Sequence, residues 1–197
     1  MQSFNIYLCG VGGQGIGLLC EILLRAADYA GYTAKAVDTH GLAQRGGSVV
    51  SHIRLGETVA TPLIAAGQAD LVIGLERHEA LRGVQVALRD GGTLLYYNTV
   101  LQPLAVRLGN LSEISALDIE TECKSRDCQV YSVDWPTLHD PRMQNIVVLA
   151  AVERFQVVPD LQHDHLVQAM DDLMSGTMLE GNLTLFQQVL AAWRKEG

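Results

Sequence analysis

FNIYLCGVGGQGIGLLCEILLRAADYAGYTAKAV, running from Phe4 to Val37, decides the architecture. Phe4 to Cys9 is a short apolar run of strand type, and Gly10 to Gly15 reads GVGGQG. Apolar residues then recur at helical spacing: Ile16, Leu19, Ile22, Leu23, Ala26, Ala27 and Ala30. Gly31 supplies the helix stop, and Ala34 to Val37 is a second strand. A strand, a glycine loop, a helix and a strand form a βαβ unit, whose two strands run parallel.

Beyond this unit lies a polar loop, DTHGLAQRGG, from Asp38 to Gly47, and then Ser48 to Leu55, which alternates as a half-buried strand does. Gly56-Glu57 reads as a tight turn into a short strand at Thr58 to Ala60, which predicts a β-hairpin. Pro62 to Gly67 suits a short helix, Asp70 to Leu75 a buried strand, and Glu76 to Leu88 a helix. Gly91-Gly92 reads as a turn before a strand at Thr93 to Tyr97, and Val130 to Val133 as the last core strand. Helical patterns fill Gln144 to Arg154, Asp160 to Met174 and Gly181 to Lys195. This alternation predicts one α/β domain over residues 1–197, a three-layer sandwich with a mostly parallel, Rossmann-like sheet. It carries a β-hairpin insertion, and its C-terminal part, from about residue 144, is helical. Glu113 to Gln129 fits no assigned element.

Composition narrows the function. Of 197 residues, 48% are hydrophobic and 18% charged, enough to build a core. The net charge of −8 argues against nucleic acid, whose phosphates call for clustered Lys and Arg. The opening MQSFNIYLCG has no basic leader, and no apolar run is long enough to span a membrane, so the expected compartment is the cytoplasm. Cys9 and Cys20 read as buried core thiols. Cys123 and Cys128 supply too few ligands for a zinc or iron–sulfur site, and no metal site is expected.

Gly10, Gly12 and Gly15 satisfy G-x-G-x-x-G between a strand and a helix. Glycines let the backbone turn tightly and approach a ligand, while N–H groups at the helix start face an anion. The same glycines also permit close packing of helix on sheet, and the pattern alone leaves both readings open. Asp38, at the end of the second strand, stands where a dinucleotide site places an acid. Gln14 reads as a loop-tip residue able to hydrogen-bond a phosphate or a neighbouring chain. No G-K-[ST] follows, which excludes a Walker-type nucleotidase.

The polar loop concentrates His40, Gln44, Arg45, Gly46, Gly47 and Ser48 at the carboxyl end of a strand, where α/β sheets bind ligands. GVGGQG followed by HGLAQRGGSV at His40 to Val49 resembles the gamma-type domain of the 2-oxoacid:ferredoxin oxidoreductases. The His-Gly before Ala-Gln-Arg-Gly-Gly is most like the beta subunit of the indolepyruvate type. Ala69-Asp70 through Glu76, Asn98-Thr99 followed by Pro103, and Asn145 to Ala151 resemble further family features. Ala150 stands where the family more often has Gly, and Leu42 where it has Met.

The resemblance implies a subunit of an enzyme that oxidatively decarboxylates an aryl 2-oxoacid to an acyl-coenzyme A and reduces ferredoxin. Thiamine diphosphate, magnesium and iron–sulfur clusters would belong to a large alpha-subunit partner. This chain would hold no redox centre and would be inactive alone, with a homodimer an option for the isolated chain. Its face would comprise Gly10, Gly12, Gly13, Gln14, Gly15, Gln44, Arg45, Gly46, Gly47 and Ser48, with coenzyme A at the glycine loop.

Single residues fit less specific roles. His40 could touch substrate or coenzyme. His52 alternates within a strand and reads as a hydrogen-bonded structural histidine. His163 and His165 flank Asp164 at a helix start, where two-residue spacing points the rings apart and implies a solvated face. No G-x-S-x-G elbow accompanies Ser48, which excludes a hydrolase triad of that type. Two rivals remain: a stand-alone Rossmann-like nucleotide-binding module using Asp38, and an enzyme acting alone through His40 and Arg45.

Overall fold

Strand β1 (Phe4–Val11) shows why a sheet forms with both faces covered. Ile6 and Leu8 enter one apolar cluster, while Tyr7 and Cys9 enter another on the opposite face. The same alternation repeats in β4 (Ala69–Gly74), where Leu71 and Ile73 oppose Val72, and in β5 (Leu88–Tyr97), where Leu95 and Tyr97 oppose Leu94 and Tyr96. Side chains of period two on a strand buried on both sides require a helix layer on each face. The computed structural model, which describes residues 3–40, 47–101 and 113–195, has those layers.

One layer contains α1 (Ile16–Tyr29), α4 (Gln144–Phe155), α5 (His163–Leu173) and α6 (Gly176–Lys195), all packed into the larger cluster. The other contains α2 (Arg77–Val86) and α3 (Ala116–Ser125), over the smaller cluster. Helix α4 is buried at every position from Gln144 to Val152, as a helix enclosed on all sides must be. With β2 (Ala34–His40), β3 (Ser48–Leu55) and β6 (Gln129–Val133), the six strands stand in the order β2-β3-β1-β4-β5-β6. The β1–β4, β4–β5 and β5–β6 pairs are parallel, and β3 is antiparallel to both β1 and β2.

The expected three-layer α/β architecture with a mostly parallel sheet and C-terminal helices is therefore present. Strands β1 and β2 run in the same direction, but β3 lies between them. The hairpin expected from Ser48–Leu55 and residues 58–60 does not form. Both edges of β3 are already hydrogen-bonded, to β1 and to β2, so no edge remains for a third partner. Side chains take the carbonyls of that segment instead: Lys35 donates to Ala60 and Arg54 to Thr61. Residues 62–67 form no helix; Ile64 N–H donates to His52 Nδ1 at 3.2 Å, and Ile64 itself is buried. Gly91 and Gly92 lie inside β5 rather than in a turn before it.

Helix α3 is the element that the unassigned stretch conceals. Its capping box, Ser115 with Asp118, closes the first turn, and it buries Ile119 and Cys123 one turn apart. Cys9, Cys20 and Cys123 are buried free thiols. Among the described residues no helix is long and apolar enough to cross a membrane.

Candidate functional site

The chain reverses its winding between β1 and β4. From β1 it crosses through α1 to the β2–β3 side, then returns to lay β4 on the other edge of β1. A crevice outside the carboxyl ends of two such strands is where open α/β sheets bind ligands. Three segments meet there: the glycine loop after β1, the start of β3, and Leu75-Glu76 after β4.

The loop is fixed by backbone and by one buried amide. Gly12 N–H donates to Gly47 O at 2.9 Å, joining the GVGGQG motif to the end of the AQRGG motif. Ser48, the first residue of β3, stands opposite Val11 in the β1–β3 ladder. Gln14 is not at a tip: it is buried, its Oε1 accepts from Val11 N–H at 2.6 Å, and its Nε2 donates to Leu75 O at 2.9 Å. It thus ties the glycine loop to the end of β4. Gly10 must be glycine here, because a Cβ would lie 2.7 Å from Gln14 Oε1 and 3.1 Å from Leu75 Cβ.

Gly15 caps α1 with φ of 79°, a left-handed conformation, and a Cβ on it would sit 2.5 Å from Asn145 Nδ2. That amide belongs to α4 and donates to Gly15 O at 3.3 Å. Gly13, with φ of 103°, has open space where a Cβ would be.

A cavity of about 490 Å³ opens beside this loop, bounded by Gly13, Gly15, Arg142, Asn145, Met178 and Asn182, among others. Three helices start beside it: α1 after Gly15, α6 at Gly176, and α4, which continues from a 3-10 turn over Pro141–Met143. None of these three carries an acidic residue in its first turn, whereas α2, α3 and α5 carry Glu79, Asp118 and Asp164. The starts of α1 and α6 thus turn their positive partial charge toward the cavity, while the turn leading into α4 is capped by Asp140, whose side chain accepts from Arg142 N–H. Arg142 stands at the rim, paired with Asp140 at 2.7 Å, and this guanidinium holds the Asp140 carboxyl down at about 2. Leu18, Met143 and Met178 give the remaining wall an apolar lining.

Under the crevice lies a chain of carboxylates. Ser48 Oγ donates to Glu79 Oε2 at 2.6 Å, and Glu79 Oε1 pairs with Arg82 at 3.0 Å. Glu76 is fully buried, and its side chain caps α2 by accepting from Glu79 N–H. Its second oxygen has no hydrogen-bond partner among the described residues, and burial raises its pKa. Nothing in the sequence singled out Glu76 as more than a helix start, because its burial is set by tertiary packing.

Of the other expected site residues, Gln44, Arg45 and Gly46 lie outside the described residues. The backbone of His40 ends β2 opposite Val49. Asp38 is one strand further from the glycine loop than a dinucleotide site requires, because β3 intervenes, an offset of about 4.8 Å. Asp38 adjoins Cys20 instead, whose thiol is pushed up to about 12, first by burial and then by that carboxylate. Burial likewise raises Cys9, which leaves neither thiol a nucleophile near neutral pH. His52 is structural, edge-on to Tyr7, and burial lowers its pKa. His163 is partly solvent-exposed and pairs with Glu153 at 2.8 Å.

The chain is thus an α/β domain with a glycine loop and a cavity at the carboxyl end of β1. The family model for pyruvate ferredoxin/flavodoxin oxidoreductase matches residues 5–192, and the chain belongs to that family. It is 33% identical to the indolepyruvate oxidoreductase subunit IorB of Archaeoglobus fulgidus, over 92% of this chain and 91% of that protein. It is 38% identical to the subunit of that name from Thermococcus kodakarensis over 109 residues, a match spanning 55% of this chain and 54% of that protein. The gamma subunit of a keto/oxoacid ferredoxin oxidoreductase from Geobacter sulfurreducens shares the fold, with a TM-score of 0.65 at 21% identity, covering 95% of this chain and 96% of that one. So does the 2-oxoglutarate:ferredoxin oxidoreductase of Magnetococcus marinus, solved with 2-oxoglutarate, coenzyme A and succinyl-CoA bound. Its TM-score is 0.68 at 16% identity, and the match covers 97% of this chain and 31% of that one.

Proposed function

We propose that this chain is the small subunit of a cytoplasmic 2-oxoacid:ferredoxin oxidoreductase acting on an aryl 2-oxoacid of the indolepyruvate type. The overall reaction consumes the 2-oxoacid, coenzyme A and two oxidised ferredoxins. It yields acyl-coenzyme A, carbon dioxide, a proton and two reduced ferredoxins, each carrying one of the two electrons released. Thiamine diphosphate in the large partner would supply the carbanion chemistry, and iron–sulfur clusters there would carry the electrons. This chain's part is to hold coenzyme A and to complete the channel by packing on that partner.

The observation that carries the reading is the cavity at the glycine loop, on which α1 and α6 begin without first-turn acids. The phosphates of coenzyme A suit the N–H groups at Gly15 and at the start of α6, with Arg142 as the rim cation. The thioalkyl arm suits the apolar wall of Leu18, Met143 and Met178. Gln14 and Asn145 act on the ligand only by fixing the loop. The alternative of a stand-alone dinucleotide module loses its acid, because β3 displaces Asp38 from the loop.

An affinity pull-down of the tagged chain from its native cell extract tests the proposal. Recovery of a large brown partner containing thiamine diphosphate supports it, as does coenzyme A-dependent reduction of ferredoxin by the recovered complex. Recovery of the chain alone, colourless and carrying an ultraviolet-absorbing nucleotide, overturns it.

A further inference from the structure

A second cavity, of about 420 Å³, opens at the far end of α4, where α4 ends, α5 begins and α6 ends. Its polar lining is Glu153, Arg154, Gln156, Gln162, His163 and Arg194. Helix α4 has twelve residues, or about 18 Å of axis, so this hollow is separate from the one at the glycine loop.

Glu153 organises it. Its side chain is only 13% exposed, and both oxygens are engaged: Oε2 with His163 Nδ1 at 2.8 Å, and Oε1 with Arg194 at 3.6 Å. An ionised carboxylate only accepts, so it keeps a proton on Nδ1 of His163. The His163 ring also stacks on Phe186, with centroids 5.8 Å apart, and its Nε2 has no partner among the described residues. Arg154, on the same rim, touches the Phe155 ring at 5.9 Å but has no ion pair among the described residues. The chain carries 14 Lys and Arg against 22 Asp and Glu. Two guanidinium groups around one hollow, with the one lining carboxylate among the described residues already engaged, reverse that balance locally.

We propose that this cavity binds a phosphate group, whether free or as the monoester end of a larger metabolite. Arg154 and Arg194 take the charged oxygens, for which a planar guanidinium offers paired donors. Nε2 of His163 accepts from the remaining hydroxyl of a hydrogen phosphate. Gln156 and Gln162 add amide donors. Glu153 touches no ligand and is a positioning residue: it holds His163 and Arg194 in the orientation that a phosphate needs.

The test is a titration of the full 197-residue chain with inorganic phosphate and, in parallel, with glycerol 3-phosphate, following the His163 ring by NMR. Saturable shifts of that ring are expected, with affinity about ten-fold weaker in R154Q and in R194Q, a loss of about 1.4 kcal/mol each. Glu153→Gln discriminates between a built site and general charge attraction. It adds net positive charge yet releases the two ligating side chains, so weaker binding is expected. Tighter binding in E153Q, or affinity unchanged from the parent in both arginine variants, overturns the proposal, as does absence of saturation at His163. Preference for glycerol 3-phosphate over inorganic phosphate would assign the site to a monoester, and the reverse order to free phosphate. Circular dichroism of each variant confirms that the fold is intact, which keeps a loss of binding interpretable.

Discussion

The two ends of α4 carry cavities of similar size, about 490 and 420 Å³, built in opposite ways. At the glycine-loop end, the geometry is set by main chain: left-handed glycines, a Gly12–Gly47 hydrogen bond and two buried amides, Gln14 and Asn145. At the far end it is set by ionised side chains, with Arg194 69% exposed. The first end has little freedom to adapt and suits a ligand held identically in every turnover. The second is soft, responds to salt, and can lose its ligand without disturbing the core.

The sharpest way to break this contrast is Gly15→Ala. The substitution forces a Cβ into a left-handed position and against Asn145. The conformation costs about 1–2 kcal/mol and the overpacking about as much again, so a loss of about 3 kcal/mol is expected in urea unfolding. Coenzyme A-dependent activity of the assembled enzyme should fall with it. A neutral effect would mean that the loop is adaptable and that the contrast is false.

Gln14→Leu comes next. It keeps much of the bulk but leaves Val11 N–H and Leu75 O without their partner. Stranded buried polar groups predict a loss of about 2 kcal/mol, read by the same unfolding curves. If Gln14 instead served the ligand directly, binding would collapse while stability held.

Glu76 sharpens the comparison by pH. Burial raises its folded pKa above the unfolded value, so the folded chain holds the proton more tightly. Its stabilising contribution is complete below the ordinary carboxylate range and is lost as pH rises through the raised folded value. Glu76→Gln removes this titration. The variant should therefore gain on the parent as pH rises from acid toward neutrality, seen as converging and then crossing melting temperatures. Glu76→Ala loses the cap on α2 as well and should lie about 1 kcal/mol below Glu76→Gln at any pH.

These residues also show what the sequence could disclose. The βαβ start, the buried strands and the C-terminal helices follow from periodicity, since one apolar face per element leaves a regular trace. Helix α3 leaves almost none, because only Ile119 and Cys123 are buried; its legible mark is the Ser115–Asp118 box. The misread hairpin has a topological cause: nothing local to Ser48–Leu55 reveals that β3 spends both edges on β1 and β2. Gln14 was legible as a special residue but not in its direction. A glutamine among glycines is long enough to turn outward or inward, and only the position of Leu75, 61 residues away, decides which.

The smallest effect belongs to the far end. Arg194→Gln removes one partner of Glu153 across 3.6 Å, with the arginine largely in solvent. Such a pair is worth about 0–1 kcal/mol, and screening reduces it further. A shift near the limit of measurement is expected in low salt, and none in molar salt. Glu153 keeps its contact with His163, so the junction of α4, α5 and α6 should stay folded. A large, salt-independent loss would instead place Arg194 among the structural supports of the helix layer. The two ends of α4 would then differ in chemistry but not in rigidity.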